Sequence, residues 1–155
     1  MRGVSGNRYP YRDQNLSGNR LIEKKDFARS ILKALAANEA VGILIDQNAS
    51  LESGVFVDFF GIPACTASGL ARIALRTDAA VVPGFTLWDS KLRKYILRFD
   101  PAVELIRTGD DQADIVANTA KFTKVIEDFI RQYPDQWLWV HRRWKTRPEG
   151  QPPLY

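Results

Sequence analysis

The sequence has little of what most catalytic sites are built from. Its 155 residues include one cysteine and one histidine, which leaves few ways to assemble a nucleophilic site. The single cysteine, Cys65, excludes an internal disulfide framework and is typical of a reducing compartment. Phosphate-cradling glycine loops, dinucleotide fingerprints and zinc-ligand spacings are absent from the sequence, so we expect no cofactor.

Long apolar runs and strong charge are also absent. No apolar segment reaches the roughly 18 residues of a membrane helix. Residues 1–21 are polar and interrupted by glycine and proline, which argues against a signal peptide. We therefore expect any membrane contact to be made from the surface or through a segment outside this sequence. A net charge of +4 permits an anionic partner such as a phospholipid, an acidic protein or a nucleic acid, without selecting one.

What is present is the composition of an ordinary globular domain, with 45% hydrophobic and 26% charged residues. We expect an irregular N-terminal segment at 1–21, one domain portion at 22–148 and a tail at 149–155. A compact domain rarely begins with about twenty structureless residues, which suggests that the sequence starts inside a longer protein.

Apolar periodicity predicts alternating helices and strands. The longest predicted helix places Ile115, Thr119, Phe122, Ile126 and Phe129 on one stripe. The predicted elements are helix 24–38 with Phe27, Ile31, Leu32 and Leu35 inward, strands 41–45 and 55–60, helix 66–76, strands 79–85 and 94–99, helix 112–132 and a last short strand or extended segment at 137–140.

The segments 41–46, 66–76 and 79–85 form a predicted strand–helix–strand unit. Such units build parallel sheets with right-handed crossovers and flanking helices, so the expected fold class is α/β. Functional groups in these sheets gather beyond the carboxyl ends of the strands, which is where Asp46 and Gln47 lie. A carboxylate there is either functional or a cap on the following loop.

Two further segments are candidates for function. Residues 56–63 place three aromatic residues around Asp58. Composition favours a core strand with a surface aspartate, and the alternative is an apolar wall beside a polar centre, as a lipid substrate requires. Residues 137–147 mix three tryptophans with arginine and lysine, which suits a membrane interface or stacking on nucleic-acid bases. The alternative is a strand with two buried tryptophans and a solvated basic end.

The single histidine, His141, lies in this last segment. A general base needs a partner that orients it, and no obvious carboxylate partner is near His141 in the sequence. We therefore expect His141 to be structural or to contact an anion.

Four blocks of the sequence match one known family in order and spacing. The blocks are GILIDQ (42–47), GVFVDFFGIPACT (54–66), GLARIALRTDAAVVP (69–83) and IEDFIRQYPDQWLWVHRRWKTRP (126–148). Together they resemble the lipid A biosynthesis lauroyl/myristoyl acyltransferase family across roughly residues 16–148. The closing block is highly specific to that family.

The resemblance implies a fold similar to the glycerol-phosphate acyltransferases, with a mixed or parallel sheet flanked by helices and incomplete at its N-terminal side. The family transfers a fatty acyl chain from acyl carrier protein to a hydroxyl of a lipid A precursor at the cytoplasmic face of the bacterial inner membrane. A related branch acylates phosphatidylinositol mannosides. The implied partners are therefore acyl carrier protein, such a glycolipid and the membrane surface, and not nucleic acid.

The family's catalytic element is a histidine followed after four residues by Asp or Glu, N-terminal to the matched blocks. His141 is followed five positions on by Thr146 and does not match it. We expect the chain to be the C-terminal portion of such an enzyme, inactive alone and held at the membrane peripherally or through a segment outside the sequence. The alternative is a degenerate, non-catalytic protein that binds anionic lipid.

Individual residues carry over in part from the resemblance. Asp46 matches the family's acid at the end of the central strand, close to the active centre. Arg12 is the best match to a substrate-binding arginine, with Arg8 and Arg20 as rivals because the SGNR sequence occurs twice. The other implied substrate contacts are Gln47; Phe59, Phe60 and Gly61, which line the acyl site; Pro83; and His141, Arg142 and Arg143, whose role is structural or phosphate-facing.

Overall fold

The computed structural model describes residues 18–22 and 27–155, and the chain divides into two compact units, 1–41 and 42–155. The first unit contains helix α1, Phe27–Ala36, which lies within the predicted helix 24–38. Ile31 is buried as expected, whereas Phe27 is exposed. The inward prediction for Phe27 was wrong because this residue begins the helix, where the packed face ends.

The second unit begins with a hairpin of two antiparallel strands, β1 (Gly54–Phe59) and β2 (Ile62–Ala67). Phe60 and Gly61 both have positive φ, 57° and 79°, as the tightest hairpin turns require. Gly54 is needed because a Cβ there would lie 2.6 Å from Cys65 Sγ. The sequence analysis predicted the first strand but placed a helix from Thr66, and the second strand was missed.

Helix α2 (Gly69–Thr77) follows directly and ends at Asp78, which adopts a left-handed conformation with φ 56°. A second antiparallel hairpin then pairs β3 (Gly84–Asp89) with β4 (Lys94–Phe99). The predicted strand 94–99 is confirmed, and the predicted strand 79–85 is displaced toward its C-terminal end.

The predicted parallel strand–helix–strand unit is wrong. Both sheets of the described residues are two-stranded and antiparallel, residues 41–45 form no strand, and Leu44 is 86% exposed. Periodicity identifies an apolar run without naming its partner, and no strand in the described part of the chain pairs with 41–45. The chain instead pairs neighbouring strands through short turns, whose closure costs the least entropy.

The longest helix, α3 (Asp111–Gln132), organises the core of the second unit. Asp110 caps its N-terminus by accepting from the backbone N–H groups of Gln112 and Ala113, each at 3.0 Å. The predicted stripe is confirmed, because its members are buried or half-buried. One cluster joins Phe59, Ala64, Phe129 and Ile130, and another joins Ala71, Ile115 and Phe122. The first cluster joins both strands of the hairpin to α3, and the second joins α2 to α3. A core built from helices and strands confirms the α/β class.

The chain after α3 is irregular. A short 3-10 helix at Pro134–Gln136 precedes residues 137–140, which form no strand. Of the two predicted alternatives, a strand or an extended segment, the strand was wrong, and side-chain contacts within the segment hold it. The Trp139 indole N–H donates to the Pro134 carbonyl at 2.7 Å, and the rings of Trp137 and Trp139 lie 4.6 Å apart. In the part of the chain that is described, no helix is long and apolar enough to cross a membrane.

Candidate functional site

A cavity of about 330 Å³ lies beside Asp46 in the second unit. Its walls are mainly aliphatic and aromatic side chains from the segment before Asp46, from residues 81–86 and from α3. The volume falls within the range of roughly 300–1,000 Å³ that is usual for small-molecule sites. The residues that line the cavity include Asp46, Pro83, Phe85, Val125, Phe129 and Trp137.

Two polar atoms of the cavity-lining residues are buried with no hydrogen-bond partner among the described residues, Asp46 Oδ1 and Trp137 Nε1. The first is an acceptor and the second is a donor. An unpaired buried polar group costs about 1–3 kcal/mol and calls for an explanation. Asp46 and Trp137 are therefore candidates to bind the polar end of a ligand.

Arg143 is the largest fully buried side chain of the described residues, at 1% exposure. Its guanidinium donates to the Cys65 carbonyl at 3.0 Å and to the Thr66 hydroxyl, and it lies over the Phe59 ring at 5.0 Å. Burial lowers the pKa of Arg143, and the negative charge of Asp46 acts in the opposite direction. Arg143 therefore fixes β2 to the closing block while its positive charge remains within electrostatic range of Asp46.

A polar clasp joins the loop after Asp46 to the closing block. Asn48 Oδ1 accepts from the Thr146 backbone N–H at 2.9 Å, and Asn48 Nδ2 donates to the Thr146 hydroxyl at 3.0 Å. That hydroxyl donates to the Ala49 carbonyl at 2.9 Å. The clasp thus joins two residues that lie 98 positions apart in the chain. Neither clasp residue was predicted to belong to the site. The available signal was their position, because Asn48 directly follows one matched block and Thr146 lies inside another.

Comparison with known proteins decides the family. The family model for bacterial lipid A biosynthesis acyltransferases matches residues 10–146, most of the chain. The chain belongs to this family of acyltransferases. The resemblance predicted from the four sequence blocks is confirmed.

Relatives within the family show how much of an acyltransferase the chain covers. It is 30% identical over 141 residues to the lipid A biosynthesis palmitoleoyltransferase of Escherichia coli (strain K12) and 31% over 140 residues to the lauroyltransferase of that strain. Each alignment covers 90% of this chain and 44% of the relative. Identity to the E. coli myristoyltransferase is 26% over 134 residues, or 86% of this chain and 40% of the relative. The chain spans less than half the length of these relatives.

The residues predicted to contact substrate are divided between the cavity, the core and the first hairpin turn. Pro83 lines the cavity, together with Asp46. Phe59 is buried in the core, and Phe60 and Gly61 form the β1–β2 turn. The acyl-wall role of these three residues stays a prediction. Phe85 and Phe129 also line the cavity. The sequence predicted a strand for Phe85 and the helix stripe for Phe129, and indicated no role in the site for either.

The predicted acid residues and their neighbours also differ in setting. Gln47 is exposed beside Asp46. Asp58 is exposed and accepts from the Gly61 backbone N–H at 3.1 Å, so the expectation of a core strand with a surface aspartate is confirmed. Within the described residues, no group of three or more His, Cys, Asp or Glu side chains could hold a metal ion.

The predicted basic residues fall into three settings. His141 is half-buried, Arg142 is exposed and Arg143 is buried, although they are consecutive. Arg20 lies in the first unit, where it is exposed and pairs with Glu39 at 2.7 Å. The predictions for Arg12 and Arg8 lie outside the described residues.

Proposed function

We propose that the chain is part of an enzyme that transfers a fatty acyl chain from acyl carrier protein to a hydroxyl group of a lipid A precursor. The observation that carries the proposal is the apolar cavity with unpaired polar atoms on Asp46 and Trp137, in a chain of the lipid A acyltransferase family. Relatives are named for palmitoleoyl and lauroyl transfer, and an apolar cavity of this size suits such chains.

In this proposal a portion of the fatty acyl chain occupies the cavity, and Asp46 and Trp137 contact the polar end of that chain. The buried positive charge of Arg143 balances Asp46 at that end. Exposed Arg142 contacts phosphate groups of the acceptor. Arg12, with Arg8 and Arg20 as rivals, stays the predicted substrate-binding arginine. The enzyme works at the cytoplasmic face of the inner membrane, where a lipid acceptor is available.

We further propose that the chain alone does not turn over. The sequence holds no histidine followed after four residues by Asp or Glu, and a general base typically contributes about 10²–10⁴-fold to the rate. The test is acyl transfer from acyl carrier protein to a lipid A precursor by the purified chain. Absence of product is expected, and steady turnover would contradict the proposal that the chain is catalytically incomplete.

The cavity is tested separately by binding, which does not need the catalytic base. Laurate is added to the chain with a fluorescent fatty acid bound, and the displacement of the fluorescent fatty acid is measured. The displacement should show that laurate binding is saturable. Val125→Phe fills the cavity and should abolish that binding, whereas Val140→Phe, at an exposed position, should leave it unchanged. Equal binding by the two variants would show that laurate binds elsewhere.

One observation favours a second candidate, a non-catalytic protein that binds anionic lipid through the closing block. Leu138, Trp139 and Val140 are exposed there, followed by exposed Arg142 and Lys145. The test is flotation with vesicles with and without anionic lipid. No binding at low salt, or binding that survives Leu138→Ser with Val140→Ser, counts against this candidate.

A further inference from the structure

The β3–β4 hairpin exposes an apolar stripe on its outer face. The pairs Trp88↔Tyr95, Thr86↔Leu97 and Gly84↔Phe99 lie directly opposite each other, so their side chains share one face. Tyr95, Leu97 and Phe99 are 72%, 61% and 65% exposed. Of the sixteen exposed large apolar side chains in the described chain, four lie on this face and one, Leu92, lies in the turn. Clusters of this kind mark interaction sites.

The opposite face of the hairpin is packed on the core through β3. Phe85 and Leu87 pack against the core cluster, and the Phe85 ring stacks on Phe129 with a centroid separation of 3.9 Å. The hairpin is therefore anchored on its inner face and offers its outer face to a partner.

The tip of the hairpin is cationic and carries one apolar side chain. Leu92 is exposed between Lys91 and Arg93, and Lys94 follows. Within the described residues these three cations form no ion pair. The nearest carboxylate in the sequence, Asp89, is engaged in the turn, where its Oδ1 accepts from the backbone N–H groups of Lys91 and Leu92 at 2.8 Å each.

We propose that the β3–β4 hairpin docks onto an anionic lipid bilayer. Leu92 enters the headgroup region, Trp88 and Tyr95 lie at the interface, and Lys91, Arg93 and Lys94 contact lipid phosphates. Tryptophan and tyrosine favour that depth because their rings are apolar and their N–H and O–H groups need water or headgroups. Lysine and arginine near a negatively charged membrane surface are attracted to it. An acidic protein would satisfy the cations but would not call for an exposed leucine and aromatic pair beside them.

This inference adds a docking surface to the proposed membrane location. It does not depend on acyl transfer, because the measured quantity is lipid binding. The two proposals can therefore fail separately. The chain can bind the bilayer without transferring an acyl chain, or transfer an acyl chain without binding the bilayer through this hairpin.

The experiment is flotation of the full chain with phosphatidylcholine vesicles, with and without phosphatidylglycerol, at low salt. Binding is expected with phosphatidylglycerol only. Neutralising Lys91, Arg93 and Lys94 to Gln together should weaken binding by about a hundredfold, since each cation contributes about fivefold. The matched control, Arg29→Gln with Lys33→Gln and Arg76→Gln, removes three exposed cations elsewhere and should retain binding. Equal loss in both triple variants, or equal binding to both vesicles, would overturn the proposal.

A second measurement locates the contact. Ser90→Cys allows a fluorophore sensitive to polarity to be attached at the tip, while Cys65, which is fully buried, stays unlabelled. Its emission should rise and shift to the blue when phosphatidylglycerol vesicles are added. A chain that floats while the fluorophore is unchanged binds through another surface, such as residues 138–140. A chain that stays in solution but binds acyl carrier protein through the tip has an acidic protein as its partner. Either outcome would overturn the proposal.

Discussion

The two hairpins of the second unit share one plan and differ in their surroundings. Each pairs two six-residue antiparallel strands in a full register of six residue pairs. In β1–β2 the residues Phe59, Ala64 and Cys65 are buried, whereas in β3–β4 Tyr95 and Leu97 are exposed. A hairpin can thus form from local pairing in either setting, and what the rest of the chain packs on it decides whether it becomes core or surface.

The difference lies in where the holding groups come from. The β1–β2 turn is held by Glu127 of α3, whose carboxylate accepts from the Phe60 backbone N–H at 2.7 Å. Its second strand receives hydrogen bonds from Arg143 and Arg147 of the closing block. The β3–β4 turn is held by its own Asp89. We therefore expect substitutions in and around the first hairpin to cost much more stability than those on the outer face of the second.

The largest expected contrast comes from one phenylalanine in each hairpin. Phe59→Ala should lower the free energy of unfolding by about 3–5 kcal/mol, because it opens a cavity in the core. Phe99→Ala, on the exposed face, should change it by no more than about 0.5 kcal/mol. Urea unfolding of the two variants measures both values. Similar losses in the two proteins would break the distinction between core and surface hairpin.

The next contrast lies between two neighbouring arginines. Arg143→Ala removes charge-assisted hydrogen bonds to Cys65 and Thr66, each worth about 1.5–3 kcal/mol, and should lower the free energy of unfolding by about 3 kcal/mol or more. Arg142→Ala, at an exposed position, should stay within about 0.5 kcal/mol of the parent. The same unfolding experiment tests both. If Arg143→Ala proved as mild as Arg142→Ala, Arg143 would not anchor the closing block to the first hairpin.

The sequence predicts those parts of the fold whose signal is local. The stripe of α3 runs from Ile115 to Phe129, about four turns, so its period is unambiguous. Strand β2 contains Pro63, a residue that argues against a central strand, yet both strands of a two-stranded sheet are edges, and proline is tolerated at an edge. The apolar run at 41–45 predicts a strand. That prediction failed because apolar composition does not reveal whether a pairing partner is available.

The candidate site is predictable only in part for the same reason. Asp46 follows an apolar run and can be selected from the sequence alone. The clasp between Asn48 and Thr146 joins residues far apart in the chain, and no pattern in either block indicates the other. That Asp46 and Trp137 line the same cavity is likewise a property of tertiary packing.

A smaller effect tests that clasp, which leads into β1. Asn48→Ala should lower the free energy of unfolding by about 1–3 kcal/mol, because it leaves the Thr146 backbone N–H without its acceptor. Gln47→Ala changes the exposed neighbour and serves as the control. Comparison of their denaturation midpoints is sufficient. Equal midpoints would mean that solvent replaces the clasp without loss.

The smallest expected effect concerns pH and the turn of the first hairpin. Burial raises the pKa of the Glu127 carboxyl, but the hydrogen bond from Phe60 and the interactions with Arg131 outweigh it, so the pKa lies below its ordinary value of 4.5. A carboxyl whose pKa is lower in the folded chain stabilises the fold above the unfolded pKa, and this contribution is lost as pH falls through the folded value. The difference in unfolding free energy between the parent and Glu127→Gln should therefore shrink on acidification below about pH 4.5. The other carboxyls are present in both proteins and largely cancel. A difference that stays constant with pH would show that the turn does not depend on the charge supplied by α3.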